Sequence, residues 1–240
     1  MLYILSILLI AFYGCDKDNK CLKSNGNVVS EMRVVTNQIT NIDLDHNIHL
    51  IITQDSTPSL RLEGGANLLS KIRTDIESNT LKLYSENKCS YLRSYDNGIK
   101  AYLSLPNITH IEYRGFGDIT CTNTLNFPSF IIDSRQGTGN INLDINSDEI
   151  FIRQHNGPAD FSFSGTCKKT YIYTLGNGWF YFQNLESEQV HVNHEGTGDV
   201  SVKANNSLLV ELYYIGNLYY YGNPTVTVSQ HSGSGKIEKK

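Results

Sequence analysis

Several residue types are scarce in this sequence of 240 residues. It contains one Trp, two Met and five Pro, and only 18% of its residues are charged. The net charge is −4, so no broad basic surface for nucleic acid is expected, and no nucleic-acid partner is predicted. The five cysteines form no Cys-x-x-Cys pair, which argues against a zinc site.

Motifs of known catalytic centres are also missing. The sequence has no Gly-x-Ser-x-Gly, no His-Glu-x-x-His and no phosphate loop, and its Gly-x-Gly segments lead into strands, which excludes a dinucleotide site. His191 and His194 are three apart on a predicted strand, so they are expected on opposite faces. No acid pair beside a base is expected on one outward face. The sequence therefore predicts no catalytic residues, no cofactor and no metal site.

Glycine and tyrosine, by contrast, are abundant, with 19 and 15 residues. Many glycines belong to a repeated segment that first occurs as Gly115-Phe116-Gly117-Asp118-Ile119. Its first glycine returns at intervals of roughly twenty residues, which is typical of a solenoid. The later copies begin at Gly137, Gly157, Gly176, Gly196, Gly216 and Gly233.

Alignment on these glycines predicts the fold. It places apolar residues in one column, namely Ile119, Ile141, Phe161, Phe180, Val200, Tyr220 and Ile237. Apolar residues that alternate along a strand and recur once per repeat describe strands stacked coil upon coil. The prediction is an all-β, right-handed parallel β-helix (a solenoid) of about six coils. Residues 33–240 would form one domain, in which the strands of 33–105 cap or extend the Gly-x-Gly repeats of 106–240.

The N-terminus has the pattern of an export signal. Residues 1–14 are nearly all apolar and too few for a membrane-spanning helix, and Cys15 follows directly after Gly14. This resembles a bacterial lipoprotein signal, which implies lipidation of Cys15 and a membrane partner through the lipid. An ordinary secretory signal or an uncleaved anchor remains an alternative. The polar segment 15–32 is predicted to be a flexible tether.

The other four cysteines allow two disulfides in an exported protein, with three possible connectivities. They are Cys21, Cys89, Cys121 and Cys167. The alternative is that these cysteines are structural, either buried or joined in a single disulfide.

Four segments and the repeats together resemble a known family. The segments are Ile42–Gln54, Leu60–Leu69, Asn79–Leu83 and Leu105–Ile111. Over residues 38–237 the chain is similar to the auto-transporter adhesin "head GIN" domain proteins, which are mostly exported lipoproteins of Gram-negative bacteria. The resemblance implies a β-helical protein of the cell surface or periplasm with a binding or adhesion role. It brings no catalytic residues with it.

One polar column of the alignment resembles the ligand positions of a calcium-binding site. Its members are Asp118, Asn140, Asp160, Trp179, Asp199, Tyr219 and Lys236. Calcium-binding β-rolls need a nine-residue repeat for their carboxylates to converge on an ion, whereas this repeat has about twenty. The aspartates are therefore predicted to cap backbone N–H groups.

The aromatic residues give the best candidate for binding. The outward positions beside the apolar column are Trp179 and Tyr181, then Asp199 and Ser201, then Tyr219 and Tyr221. Aromatic rings that bracket hydrogen-bonding groups suit sugar rings. This face is therefore predicted to contact a glycan or surface polymer. The alternative is that these tyrosines only stabilise an exposed sheet.

The sequence thus predicts a non-catalytic, lipid-anchored binding protein of the bacterial cell envelope, at the outer membrane and facing the periplasm or the surface. One alternative is a structural envelope protein that forms homo-oligomers through the aromatic face or an uncapped end of the solenoid. Sedimentation at several concentrations separates that alternative from a monomeric binder. A carbohydrate-active enzyme is a second alternative, disfavoured because no acid/base cluster is predicted.

Overall fold

The computed structural model describes residues 24–87 and 98–240. The predicted signal peptide, Cys15, Cys21, Cys89 and most of the loop between 86 and 98 lie outside the described residues. Strands account for nearly all regular structure. No helix in the described ranges has the length and apolar character needed to cross a membrane.

Eighteen strands and one short helix follow one another along the described chain. The N-terminal elements are β1 (Val28–Arg33), β2 (Asn41–Leu44), β3 (Ile48–Gln54), β4 (Ser59–Gly65), α1 (Ala66–Leu69), β5 (Ile72–Glu77), β6 (Thr80–Ser85) and β7 (Ile99–Leu105). The next strands are β8 (His110–Tyr113), β9 (Ile119–Cys121), β10 (Leu125–Asn126), β11 (Ser129–Arg135), β12 (Asn140–Asn156) and β13 (Asp160–Thr174). The last are β14 (Phe180–His194), β15 (Val200–Leu212), β16 (Leu218–Tyr221), β17 (Thr225–His231) and β18 (Ile237–Lys239).

The strands stack in parallel into a β-solenoid of about six turns, which confirms the predicted parallel β-helix. Each turn runs along one sheet, passes a glycine corner and returns along a second sheet. Sheet 1 contains β8, β11, the second halves of β12 to β15, and β17. Sheet 2 contains β9, the first halves of β12 to β15, β16 and β18.

The N-terminal strands both extend and cap the solenoid. Strands β2 and β3 form a further coil, because β2 pairs in parallel with β8, and β3 with β9. Beyond that coil, β6 and β7 add another, and the antiparallel strands β1, β4 and β5 close the end. Leu69 of α1 is fully buried there.

Strand β1 corrects the predicted tether. Val28–Arg33 falls almost wholly within the segment 15–32, yet it pairs with β4 along its full length, from Val28 opposite Gly65 to Arg33 opposite Leu60. Both faces of β1 are largely exposed. Its backbone hydrogen bonds therefore hold it in place. Because neither face is buried, the sequence of this strand shows no regular alternation of apolar residues that would predict it.

Aromatic side chains fill the middle of the solenoid. Phe161 and Phe180 stack at 4.8 Å between ring centroids, with an interplanar angle of 10°. Phe163 and Phe182 stack at the same distance one step further along the strands. All four rings are buried. Parallel register places identical residues one strand spacing apart, which is why the rings lie face to face.

The register corrects one column of the sequence alignment. Val200 pairs with Leu218, and Leu218 pairs with Ile237, so Leu218 takes the column position that alignment gave to Tyr220. The reason is that Gly216 is the second glycine of its corner. An added Cβ on Gly216 would lie 2.5 Å from the carbonyl oxygen of Gly198, and Gly198 is the second glycine of the preceding coil.

Glycine corners bring successive backbones closer than a side chain allows. A Cβ on Gly178 would lie 1.8 Å from the carbonyl oxygen of Ala159 in the preceding coil. Under each corner the inward column turns polar, with Tyr113, Gln154, Thr174 and His194 all buried. The Gln154 amide donates to Ala159 O at 2.8 Å, so these side chains satisfy corner backbone groups that the sheets leave unpaired.

His194 is the titratable member of this inward column. Its side chain is buried, Nδ1 accepts the Gly196 N–H at 3.2 Å, and Nε2 finds no partner among the described residues. Burial lowers the pKa of His194 from 6.5 to about 4. The prediction that His191 and His194 face opposite ways is confirmed, since His191 points outward and is partly exposed.

Because the folded-state pKa of His194 is depressed, unfolding takes up a proton between these two values. The free energy of unfolding should therefore fall by about 3 kcal/mol as the pH drops from 6.5 to 4. His194→Gln keeps a hydrogen-bond acceptor, as Gln154 does two coils earlier, and should remove most of this slope. Urea unfolding across that pH range measures it. Equal slopes in both proteins would contradict the assignment.

Two of the predicted disulfide cysteines lie in the described structure. Within the described residues Cys121 and Cys167 form no disulfide, so they are not joined to each other. Cys121 Sγ accepts the Asp144 N–H at 3.2 Å. Burial raises the pKa of both thiols, which makes them poor nucleophiles.

The last coil, made of β17 and β18, has a neighbouring coil on one side among the described residues. Strand β17 pairs only with β15, and β18 only with β16, within the described residues. Val228 on β17 is 46% exposed. Unpaired strand edges are the kind of surface that the oligomer alternative requires.

Candidate functional site

Two outward surfaces of the solenoid carry groups suited to binding. The first is on sheet 2, where Trp179 and Tyr181 project from the start of β14. Their exposed fractions are 44% and 39%. The two rings lie 6.2 Å apart between centroids at an interplanar angle of 17°, so their planes are nearly parallel and the rings stack on each other. This exposed pair is here called the platform.

The platform stands between polar residues of the neighbouring coils. Register places Asp160 and Asp199 on either side of Trp179, and Ser162 and Ser201 on either side of Tyr181. Each aspartate also ties coils together. Asp160 Oδ1 accepts the Trp179 N–H at 2.7 Å, and Asp199 Oδ1 accepts the N–H of the next corner at 2.9 Å.

The aspartates therefore do what the sequence predicted, since they cap backbone N–H groups, here in the adjacent coil. Asp118 follows the same pattern and accepts the Asn140 N–H at 2.9 Å. Burial, and next the charges of Asp160 and Asp199, raise the pKa of Tyr181. Its hydroxyl therefore stays neutral and can both donate and accept hydrogen bonds at neutral pH.

The corrected register changes the positions of the other two predicted aromatic residues. Tyr219 pairs with Ser201, and Tyr221 pairs with Lys203. Tyr219 thus shares a column with Tyr181, two strands or about 10 Å away. The residue opposite Asp199 is Asn217, where the alignment had placed Tyr219. Lys240 Nζ lies 4.6 Å from the centre of the Tyr219 ring. The predicted second aromatic pair is therefore a single ring beside the platform.

The second surface lies on the outer face of sheet 1, around Asp133 of β11. Although Asp133 points outward, it is only 4% exposed. His110 Nε2 lies 2.9 Å from its Oδ2, and His155 Nε2 lies 3.2 Å from its Oδ1. Arg153 Nη2 also contacts Oδ2, at 2.6 Å. One carboxylate therefore holds two imidazoles and a guanidinium.

Glu112 stands next to Asp133 on the neighbouring strand β8. Arg114 Nη1 and Arg135 Nε contact its Oε1 at 3.1 and 3.0 Å. The sequence predicted no neighbouring acids beside a base on one outward face, and this prediction was wrong. The available signal was the repeat length, because His110, Asp133 and His155 are 23 and 22 residues apart, which is about one coil each.

Hydrogen bonding decides the charge of Asp133. Burial by itself would raise its pKa, but hydrogen bonds from the two histidines and from Arg153 outweigh burial and hold the pKa well below the usual range. The carboxylate is therefore ionised at any physiological pH and is available as a strong hydrogen-bond acceptor or metal ligand.

A shallow groove of about 530 Å³ follows the turn opposite the glycine corners. Asn126, Asn146 and Thr166 line it in successive coils, and Asn146 Oδ1 accepts the Thr166 hydroxyl at 2.8 Å. These groups hydrogen-bond to one another along the stack, so the groove's polar side chains primarily join coils.

Comparison with known proteins identifies the family. A family model described as "Putative auto-transporter adhesin, head GIN domain" matches residues 38–224, which confirms the predicted resemblance over a slightly shorter range. No curated protein matches this chain.

Solved structures share the fold. A "putative adhesin" from Bacteroides fragilis has a TM-score of 0.82 at 22% identity, with 89% of this chain and 97% of that chain covered. A "putative lipid binding protein" from Parabacteroides distasonis has a TM-score of 0.68 at 19% identity, with 90% and 98% covered. A "putative adhesin" from Parabacteroides merdae has a TM-score of 0.65 at 15% identity, with 91% and 98% covered.

Family membership rests on the matched model, which spans most of the chain, while the solved structures support the solenoid fold. An adhesin-type family is consistent with a protein of the cell surface or envelope. The chain belongs to the auto-transporter adhesin, head GIN domain family.

Proposed function

We propose that this protein is a non-catalytic, adhesin-type binding protein of the cell envelope, and that its platform holds a saccharide of a glycan or surface polymer. The observation that carries the proposal is the exposed, stacked pair Trp179 and Tyr181. Both side chains are among the exposed large hydrophobic residues of the described structure.

The surroundings of the platform fit a sugar better than an apolar ligand. A sugar ring has one face of C–H groups, which stacks on aromatic rings, and a rim of hydroxyls, which need partners. Asp160 and Asp199 supply acceptors beside Trp179, and two serine hydroxyls stand beside Tyr181. A neutral or cationic saccharide fits this arrangement, whereas a polyanionic one would be repelled by the two carboxylates.

The solenoid supplies a rigid support for such a site. Backbone hydrogen bonds join β14 to the strands on both of its sides, so the rings are held in place before a ligand arrives. A preorganised site loses little conformational entropy on binding. Tyr219, about 10 Å away on the same face, would meet the next unit of a polymer.

Replacing Trp179 and Tyr181 together by alanine should lower the affinity for the bound glycan at least tenfold, or about 1.4 kcal/mol. Glycan-array binding of the purified protein identifies ligands and compares the variants. Tyr214→Ala is the matched control, because Tyr214 is 50% exposed and lies at a corner outside the platform. The control should bind like the unchanged protein.

Two array outcomes would contradict the proposal. One is binding that is equal in the unchanged protein and in the double variant. The other is an absence of binding by any of the proteins. A loss that appears equally in Tyr214→Ala would assign recognition to a different surface.

Export and membrane attachment through a lipid on Cys15 complete the proposal. The support is the short apolar segment 1–14 followed by Gly14 and Cys15. Cys15→Ser should release the protein from the membrane fraction of expressing cells. A variant that still sediments with membranes would rule out this attachment.

A further inference from the structure

The cluster around Asp133 brings together ligand types that metal sites use. The three strands β8, β11 and β12 lie side by side in parallel register. Glu112 stands directly opposite Asp133, and His110 lies two residues before Glu112. His155 reaches the same carboxylate from the other side. Each donor therefore projects from a strand that the sheet holds rigidly.

The potential ligand atoms of the cluster lie near one another. One ligand atom from each of His110, Glu112 and Asp133 lies within 4.8 Å of the others. Bonds of about 2.0–2.2 Å to a tetrahedral ion would place ligand atoms about 3.3 Å apart. His110 Nε2 is 2.9 Å from Asp133 Oδ2, so these two atoms need to separate by only a few tenths of an ångström. A pair of ligand atoms near the 4.8 Å limit must instead move closer by more than an ångström.

We infer that His110, Glu112 and Asp133 form a binding site for a divalent transition-metal ion such as Zn²⁺. His110 Nε2, Asp133 Oδ2 and a Glu112 carboxylate oxygen are the protein ligands, and water takes the remaining position. His155 donates to Asp133 Oδ1 and fixes the orientation of the carboxylate, as outer-shell partners of metal ligands do. A mixed imidazole and carboxylate set suits Zn²⁺, Co²⁺ or Ni²⁺ better than Ca²⁺ or Mg²⁺.

Two adjustments accompany binding. In the metal-free protein His110 Nε2 carries a proton, because its partner Asp133 is a carboxylate that can only accept. Nε2 must release this proton to solvent before its lone pair can reach the ion. Arg153 Nη2, which is 2.6 Å from Asp133 Oδ2, must leave that oxygen. The guanidinium therefore competes with the ion.

Glu112 is placed to remain a ligand while its own ion pairs persist. Both arginines that contact it do so at Oε1, which leaves Oε2 for the ion. Asp43 pairs with Arg114 on the same face and offsets part of the positive charge. Arg135, on Glu112, and Arg153, on Asp133, add further positive charge beside the site.

Calorimetric titration of the metal-free protein with ZnCl₂ tests the inference. We expect one ion per chain and at least a tenfold loss of affinity in His110→Gln. The matched control is His191→Gln on the same sheet face, where His191 Nε2 contacts a single carboxylate, that of Glu211, at 2.8 Å. This control should bind Zn²⁺ like the unchanged protein, and circular dichroism should show all variants folded.

A second variant gives an effect of opposite sign. Arg153→Gln removes the competing cation and should raise the Zn²⁺ affinity severalfold, which general destabilisation could not do. The inference is overturned if the unchanged protein takes up no Zn²⁺ at millimolar concentration. It is also overturned if His110→Gln binds as tightly as the unchanged protein, or if Arg153→Gln binds more weakly.

Discussion

Phe180→Ala should lower the free energy of unfolding by about 4 kcal/mol, within the usual range for removing a buried aromatic ring. Phe180 is fully buried and packs against rings on two sides. It stacks on Phe161 at 4.8 Å and meets the edge of Phe182 at 5.9 Å. Hydrogen-bonded strands cannot collapse into the space, so the cavity would persist.

Urea unfolding followed by circular dichroism measures this loss. Phe151→Ala is the matched control, because Phe151 carries the same ring on the outer face of sheet 1, where it packs against Tyr171 at 5.9 Å. Its removal should cost about 1 kcal/mol. Similar losses in the two variants would mean that the stacked rings do not form the core.

Gly178→Ala should destabilise the protein by roughly 3 kcal/mol, the upper end of the range for overpacking. The added methyl carbon would lie 1.8 Å from Ala159 O and 2.5 Å from Gln154 Nε2. The first of these atoms is backbone and cannot swing aside. The two coils would have to separate at the corner, which also breaks the hydrogen bond from Gln154 to Ala159.

Asn177→Ala is the control for this corner, because Asn177 is exposed and its Oδ1 accepts one hydrogen bond, from the Thr197 hydroxyl at 3.1 Å. Its loss should cost about 0.5 kcal/mol. Thermal unfolding compares the two variants directly. If Gly178→Ala were as stable as Asn177→Ala, close contact of the corner backbones would not be the reason for this glycine.

The architecture could be predicted because the same sequence pattern recurs in every coil. Each coil repeats an apolar column and a glycine corner, so a local error in one copy leaves the rest intact. In one corner Tyr214 occupies the position of the first glycine and Gly216 that of the second. Alignment on the first glycine therefore shifted that copy by two residues. Register from hydrogen bonding places Leu218 in the column instead, and this moved Tyr219 and Tyr221 relative to the platform.

The features that were not predicted produce no periodic pattern of apolar residues in the sequence. Strand β1 is held by backbone pairing with β4, which any sequence without proline can make. The cluster around Asp133 depends on which outward side chains meet across strands. Coil lengths that vary by a few residues hide those meetings until the register is known. Trp179 and Tyr181 were identifiable because they follow directly from the glycine corner.

The proposed platform contains the only tryptophan of the 240 residues, so intrinsic tryptophan fluorescence reports on Trp179 alone. Titration with a saccharide found on the array tests the proposal most directly. The account predicts that Trp179 emission changes and saturates with the same dissociation constant as binding measured by calorimetry. Binding that saturates by calorimetry without any change in Trp179 emission would contradict it.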